Sequence, residues 1–103
     1  MNPHIKQFEE VIAEYTSAPI AVSFDSCTSG MFHSLKFFDV KDIILPKRTF
    51  ISVYTHALLA RCKITSNDIN WNGAYRIQPT EIYDCAKQLK PDMYVPGTVM
   101  CLS

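Results

Sequence analysis

The sequence predicts an α/β domain with a mostly parallel sheet and helices on both of its faces. Short apolar segments alternate with segments of helical periodicity, an order that joins parallel strands through crossover helices. The chain has 103 residues, of which 48% are hydrophobic and 19% are charged, as expected of one packed, soluble domain. Its apolar surface is large enough to favour folding over disorder. We therefore predict a single domain over residues 1–103.

The charge balance argues against two classes of partner. Ten basic side chains equal ten acidic ones, for a formal net charge of +0 at pH 7, so no strong field attracts nucleic acid or an anionic membrane. No apolar run approaches the ~20 residues of a membrane-spanning helix. The N-terminal residues also lack the apolar stretch of a signal peptide. We expect a cytoplasmic protein that binds neither nucleic acid nor membrane.

The first predicted elements are a helix and a strand. Apolar side chains recur at three- and four-residue steps over residues 5–15, with Asn2 as the helix cap and Pro3 in the first turn. Residues 19–24 are apolar at nearly every position, which is typical of a strand covered on both faces. The turn-rich segment 67–80 has no predicted place in the fold. The later predicted elements are two helices and four short strands. One helix has Met31, Leu35 and Phe38 on one face and the other covers residues 49–61. The strands cover residues 43–45, 62–65, 81–84 and 98–103.

Within the last predicted strand, over residues 98–103, residues 99–102 are apolar on both faces. This pattern is typical of an interior strand with layers above and below it. No later segment supplies that cover, and an uncovered apolar strand promotes aggregation. We therefore expect a partial domain, the front part of a larger protein.

The cysteines and histidines form no metal motif. Zinc sites place cysteine or histidine ligands a few residues apart, whereas the histidines include no pair at i, i+4 and the cysteines are widely separated. We expect reduced, buried thiols and no metal site. The four cysteines are Cys27, Cys62, Cys85 and Cys101.

The turn after the first predicted strand is a candidate anion site. Residues 26–30 read Ser-Cys-Thr-Ser-Gly and precede a predicted helix. The free N–H groups and the dipole of a helix N-terminus favour an anion, and the hydroxyls add donors. The alternative is that Ser26 or Thr28 only caps the helix.

Two later residues are candidates for the same edge of the sheet. Asp84 closes an apolar strand, and ligands of open α/β sheets bind outside the carboxyl ends of the strands. Its alternative role is to cap a following helix. Phe50 follows a strand and is available to stack on a flat ligand, or else belongs to the core. Lys47 and Arg48 either meet anions or are solvated turn residues.

Several blocks of the chain, taken in order, resemble one known family. The blocks are IKQFEE at 5–10, AVSFDSCTSG at 21–30, IILP at 43–46, TF at 49–50, IYDCA at 82–86 and VMCLS at 99–103. They are similar to blocks of the DegT/DnrJ/StrS family of pyridoxal-phosphate-dependent sugar aminotransferases. The resemblance implies part of the large domain of the aspartate aminotransferase fold, the type I fold of pyridoxal-phosphate enzymes.

The resemblance also implies pyridoxal 5′-phosphate as the cofactor. By matched position, Thr28 and Ser29 would contact its phosphate and Phe50 would stack on its ring. Asp84 would hold the protonated pyridine nitrogen, which keeps the ring an electron sink.

Two further matched positions complete the implied site. Lys87 stands where the family usually has Gln or His, a residue that contacts the phenolic oxygen of the cofactor. Ser103 matches a serine that also reaches the phosphate. The family's Schiff-base lysine follows that serine by a few residues and has no counterpart in this chain, so we expect no catalytic residue here. The implied partners are an amino-acid donor, a nucleotide-linked keto sugar and a second copy of the protein in a homodimer.

Other interpretations stay open on sequence alone. The chain is compatible with a shortened, non-catalytic relative that serves as a binding or regulatory module. It is also compatible with a free-standing phosphate-binding α/β domain outside the family. The sequence does not separate an aminotransferase from the family's dehydratase-like relatives.

Overall fold

The computed structural model describes residues 2–103, which contain both helices and strands; the alternation that the sequence predicts holds only over residues 27–67. The α/β class is therefore confirmed. The predicted domain begins at Met1, which lies outside the described residues. In chain order the elements are α1 (Pro3–Thr16), α2 (Cys27–Phe37), β1 (Asp42–Pro46), α3 (Ile51–Leu59), β2 (Lys63–Asn67), β3 (Tyr75–Arg76), β4 (Ile82–Cys85) and β5 (Val99–Leu102).

The strands form two small sheets in place of the single sheet that the sequence predicts. β1 pairs with β2 in parallel, whereas β4 pairs with β5 in parallel and with β3 in antiparallel orientation. An isolated antiparallel bridge joins β1 to the segment that follows β3, where the Ile44 N–H donates to the Gln78 carbonyl at 2.8 Å. Parallel pairing is thus the commoner kind among the described strands. Helices on both faces of one sheet stay a prediction.

The predicted strand over residues 19–24 is not formed. The segment has no regular secondary structure, and Ile20 and Val22 are 74% and 66% exposed. The Ser23 N–H donates to the Glu9 carboxylate of α1, at 2.7 Å, instead of to a neighbouring strand. The apolar pattern requires cover on both faces, and no strand of the described residues lies beside the segment to supply it. The prediction of a buried strand is therefore wrong.

Helix α1 is confirmed, but its apolar stripe is not covered. The Asn2 side chain accepts a hydrogen bond from the His4 N–H at 2.8 Å, as a cap should. Phe8 and Val11 nevertheless remain 59% and 57% exposed. Phe8 and residues 18–24 line a groove of about 1290 Å³. The N-terminal part of the chain therefore presents a large apolar surface.

The core lies between α2, α3 and the strands. α2 packs against α3, β4 and β5, which brings the N-terminus of α2 close to the central strands. No helix within residues 2–103 is long and apolar enough to cross a lipid bilayer. The largest of the fully buried side chains include Met31, Leu35, Ile43, Leu45, Val53 and Ile77.

Candidate functional site

The N-terminus of α2 presents small polar side chains. Ser26 is the N-cap, and its hydroxyl oxygen accepts a hydrogen bond from the Ser29 N–H at 3.1 Å. The Thr28 hydroxyl lies 3.3 Å from that of Ser26. Capping by Ser26 is therefore confirmed. It satisfies one N–H group of the first turn, whereas the N–H groups of Cys27 and Thr28 have no acceptor inside the helix.

Asp84 of β4 is a buried carboxylate, with 5% of its surface exposed. It accepts hydrogen bonds from the Tyr75 hydroxyl at 2.9 Å, the Cys27 thiol at 3.6 Å and the Ala86 N–H at 3.0 Å. All three donors are neutral, and within residues 2–103 no Lys, Arg or His nitrogen forms an ion pair with it. A turn rather than a helix follows β4, so the expected helix-capping alternative is wrong.

Tyr75 is positioned by the pairing of β3 with β4, in which Tyr75 lies directly opposite Asp84. Its hydroxyl has one hydrogen, which it donates to Asp84. The Thr49 hydroxyl, 2.8 Å away, therefore donates to the Tyr75 oxygen. Because Thr49 lies in the connection between β1 and α3, these hydrogen bonds join that connection to the buried carboxylate.

The thiols and the phenol around Asp84 keep their protons at neutral pH. Burial, followed by the Asp84 charge, raises the pKa of the Cys27 thiol well above its usual value. Burial also raises the pKa of the Tyr75 hydroxyl. Burial first, and the Asp84 charge next, raise the pKa of Cys85 to about 11 and that of Cys101 to about 12. None of these groups therefore adds a charge beside the carboxylate.

Phe50 and Lys87 lie next to each other beside this network. Phe50 is the N-cap residue of α3 and is 54% exposed, so the alternative that it belongs to the core is wrong. The Lys87 Nζ lies 5.2 Å from the centroid of the Phe50 ring, within the range of cation–π attraction. The pair presents an accessible aromatic ring and a cation to a flat, anionic ligand.

Ser103 follows β5 and lines the groove of about 1290 Å³. Ser26 and Cys27 line the same groove, so the groove links Ser103 to the N-terminus of α2. Phe50 and Lys87 are not part of its lining. The N-terminus of α2, where Thr28 and Ser29 lie, is thus joined to Asp84 by the hydrogen bond of Cys27. Ser103 lies in the groove that Cys27 also lines.

Sequence analysis missed three residues of this network: Cys27, Thr49 and Tyr75. It treats Cys27 as an ordinary buried thiol, although the residue starts the helix at the candidate anion site. Tyr75 falls in the segment that has no predicted place. The alternation of Tyr75 and Ile77 with polar neighbours is a weak strand signal that points to a partner for the strand of Asp84.

A buried carboxylate on a strand, a capped helix N-terminus and an exposed aromatic ring are typical of α/β proteins that bind a ligand at strand ends. Within that class, this chain belongs to the DegT/DnrJ/EryC1/StrS aminotransferase family, whose family model matches residues 1–87. The family resemblance that the sequence blocks indicate is therefore confirmed.

The chain is also similar to the uncharacterized protein MJ1066 of Methanocaldococcus jannaschii. The two are 32% identical over 85 residues, which are 80% of this chain and 22% of that relative. The chain thus spans about a fifth of the length of the curated relative it matches. No solved structure matches the chain.

Proposed function

We propose that this chain forms the cofactor-binding, N-terminal part of a pyridoxal-phosphate-dependent aminotransferase. The reaction moves an amino group from an amino acid such as glutamate to the keto group of a nucleotide-linked sugar. Family membership supports the reaction class. The burial of Asp84 without a cationic partner in residues 2–103 is the observation that supports the cofactor.

The surroundings of Asp84 fit a protonated ring nitrogen. An ionised carboxylate accepts about four hydrogen bonds, and Tyr75, Cys27 and Ala86 supply three donors, so one acceptor position remains. A buried charge is costly unless an opposite charge accompanies it. A pyridinium N–H provides both the missing donor and the missing charge.

The neighbouring residues fit the other parts of the cofactor. The N–H groups of the first turn of α2, with the hydroxyls of Thr28 and Ser29, suit the phosphate. Ser103 is proposed to reach the same phosphate. The exposed ring of Phe50 suits the face of the pyridine, and Lys87 beside it suits the phenolic oxygen.

The role of this chain in the reaction is to bind and orient. The bound cofactor supplies an electron sink for the carbon that loses a proton. Asp84 favours the protonated state of the ring nitrogen on which that property depends. Tyr75 and Thr49 hold the Asp84 carboxylate in one orientation through their hydrogen bonds.

We also propose that residues beyond this chain supply the Schiff-base lysine and the sugar site. The chain spans about a fifth of its relative's length. The exposed apolar surface of α1 and of residues 19–24 supports this, because surfaces of that kind normally pack against other protein. The proposed active form is a cytoplasmic homodimer.

Replacement of Asp84 in the native-length protein tests the proposed function. Asp84→Asn keeps the size of the side chain and removes its charge, and Asp68→Asn at an exposed position is the matched control. We expect Asp84→Asn to weaken binding of pyridoxal phosphate, measured by fluorescence titration, by about tenfold or more. Asp68→Asn should bind as wild type does. Equal affinities of the two variants would contradict the proposal.

The intact mass of the native protein separates this proposal from its main alternative. A native mass several times the 11.7 kDa of this chain, with pyridoxal phosphate bound, supports the enzyme. A native mass of 11.7 kDa without bound pyridoxal phosphate favours a shortened, non-catalytic relative that acts as a binding or regulatory module.

A further inference from the structure

A cleft of about 290 Å³ opens beside Lys87, the one residue of its lining that has a role above. The ammonium of Lys87 has three N–H donors, so it can contact a second anionic group besides the phenolic oxygen. Two cations, one indole and two amides are among its lining side chains; these belong to Arg48, Lys87, Trp71, Asn70 and Asn72. Three of them come from the segment 67–80, which has no predicted place from the sequence. The volume lies at the lower end of the range of ligand pockets, about 300 Å³, so the cleft suits one group of a ligand rather than a whole substrate.

The two cations of the cleft lack an acidic partner. Arg48 and Lys87 are both exposed, and neither forms an ion pair within residues 2–103. Two like charges in one cleft repel each other and do not stabilise the folded chain by themselves. An anion between them would remove that repulsion.

Specific contacts hold the cleft in its shape. The Trp71 Nε1–H donates to the Arg48 carbonyl at 2.7 Å, and the rings of Trp71 and Tyr75 have centroids 4.8 Å apart. Gly73 has a φ of 81°, and a Cβ at this position would lie 2.6 Å from the side-chain oxygen of Gln88. The positive φ therefore favours glycine at this turn. The hydrogen bond of Trp71 holds its indole against the backbone of Arg48.

We propose that this cleft binds the diphosphate of a nucleotide-linked substrate. Each phosphate of such a diphosphate has one negative charge, so the pair matches the charges of Arg48 and Lys87. A carboxylate has one charge and would leave one of the cations unneutralised. The planar guanidinium of Arg48 is suited to two parallel hydrogen bonds with phosphate oxygens, and Asn70 and Asn72 add amide donors. This inference rests on the proposed function, because it assigns the diphosphate of that reaction's substrate to this cleft.

Tryptophan fluorescence provides a direct test in the 103-residue chain. Trp71 is its one tryptophan, so the emission reports on this cleft. We expect inorganic pyrophosphate to change the emission saturably, with weaker binding at high salt. Arg48→Gln and Lys87→Gln should each weaken binding by about tenfold or more. Lys90→Gln removes an exposed cation outside the cleft and should bind as wild type does.

Competition experiments identify the chemistry of the ligand. A nucleoside diphosphate that binds as tightly as pyrophosphate, or more tightly, supports the diphosphate subsite. Glutamate that competes as strongly as pyrophosphate would overturn it, because a carboxylate would then suffice. Lys90→Gln that weakens binding as much as Arg48→Gln would also overturn it. Circular dichroism spectra that match the wild type establish that each variant is folded.

Two variants separate the failure of this inference from the failure of the proposed function. Asp84→Asn should lose pyridoxal phosphate in the native-length protein and retain pyrophosphate in the chain, whereas Arg48→Gln should lose pyrophosphate. If Arg48→Gln retains pyrophosphate while Asp84→Asn loses the cofactor, the diphosphate subsite is refuted and the proposed function stands. If Asp84→Asn retains the cofactor while Arg48→Gln loses pyrophosphate, the cofactor role is refuted and the anion subsite stands.

Discussion

Two regions of the molecule differ in how well their side chains are buried and hydrogen-bonded. One is the surroundings of Asp84, and the other is the N-terminal region, which consists of α1 and residues 19–24. Tyr75 and Asp84 are only 7% and 5% exposed, and both are hydrogen-bonded. Phe8 and Ile20 are large and apolar, yet they are 59% and 74% exposed. The side chains of the first region are buried and hydrogen-bonded within the chain, whereas those of the second are not covered by it.

The physical nature of the two interactions explains this difference. Hydrogen bonds are directional, so the donors on Tyr75 and Cys27 specify where the carboxylate of Asp84 lies. Burial of apolar surface is non-directional and requires only a surface of matching shape. A polar network can therefore be defined by a few residues of a short chain, whereas an apolar strand needs neighbours on both faces.

Matched isoleucine substitutions should show the largest contrast between buried and exposed positions. Ile43 of β1 is 2% exposed and Ile20 is 74% exposed. We expect Ile43→Ala to lower the free energy of unfolding by about 2–5 kcal/mol, because it leaves a cavity. Ile20→Ala should change it by about 0.5 kcal/mol or less. Urea unfolding measures both, and equal losses would show that residues 19–24 are buried in solution.

Alkaline pH should destabilise the surroundings of Asp84. Folding raises the pKa of Cys85 from 9.0 to about 11 and that of Cys101 from 9.0 to about 12, chiefly through burial. Above pH 9 the unfolded chain loses these protons while the folded chain retains them. The free energy of unfolding should therefore fall by up to about 1.4 kcal/mol per pH unit for each thiol until its folded pKa is reached.

Urea unfolding at pH 8 and pH 10 measures this fall. Cys85→Ala should reduce the fall, because it removes one of the buried thiols that contribute to it. A free energy of unfolding that is constant or rises over this range would contradict the burial of the thiols.

Removal of a tyrosine hydroxyl should lower the free energy of unfolding more near Asp84 than in the N-terminal region, although the difference is smaller than for the isoleucine pair. Tyr75→Phe leaves the buried Asp84 carboxylate without its phenol donor, so we expect the free energy of unfolding to fall by about 1–3 kcal/mol. Tyr15→Phe is the matched change in the N-terminal region, where Tyr15 is 45% exposed, and should cost about 0.5 kcal/mol or less. Thermal and urea unfolding of both variants check the difference. Equal effects would mean that the Tyr75 hydroxyl is solvated.

Loss of the α2 cap should have the smallest effect. Ser26→Ala removes the acceptor for the Ser29 N–H, and such losses cost about 1 kcal/mol. Ser29→Ala keeps the cap and is its control. A Ser26→Ala variant as stable as Ser29→Ala would show that water replaces the cap.

The strands of the core were predictable, because their signal is local. Apolar runs bounded by turn residues predict the strands at Ile43 and at Asp84, and the structure confirms both. The segment 19–24 has the same local signal, but its strand needs neighbours that no local pattern reports. The sequence pattern therefore predicts which segments need to be buried as strands. It does not predict whether neighbouring strands are present to bury them.

The candidate site was predictable only in part. The positions of residues after predicted strands, and the family resemblance, both depend on short motifs. They identify Thr28, Phe50 and Asp84 as candidate site residues. The Tyr75–Asp84 contact depends on the register of β3 against β4, and β3 has only two residues. A strand of that length gives only a weak periodic signal, which does not establish its register against β4. The cleft at Trp71 was not predictable either, because its lining residues lie mostly in turns, which have no periodic pattern.

The most direct test of the central claim is the protonation state of the ring nitrogen next to Asp84. Pyridoxal phosphate labelled with nitrogen-15 in its ring, bound to the native-length protein, reports that state through its nitrogen chemical shift. The account predicts the shift of a protonated pyridine with wild type at neutral pH, and that of an unprotonated pyridine with Asp84→Asn. An unprotonated nitrogen in the wild-type complex would contradict the assignment of Asp84 as its partner.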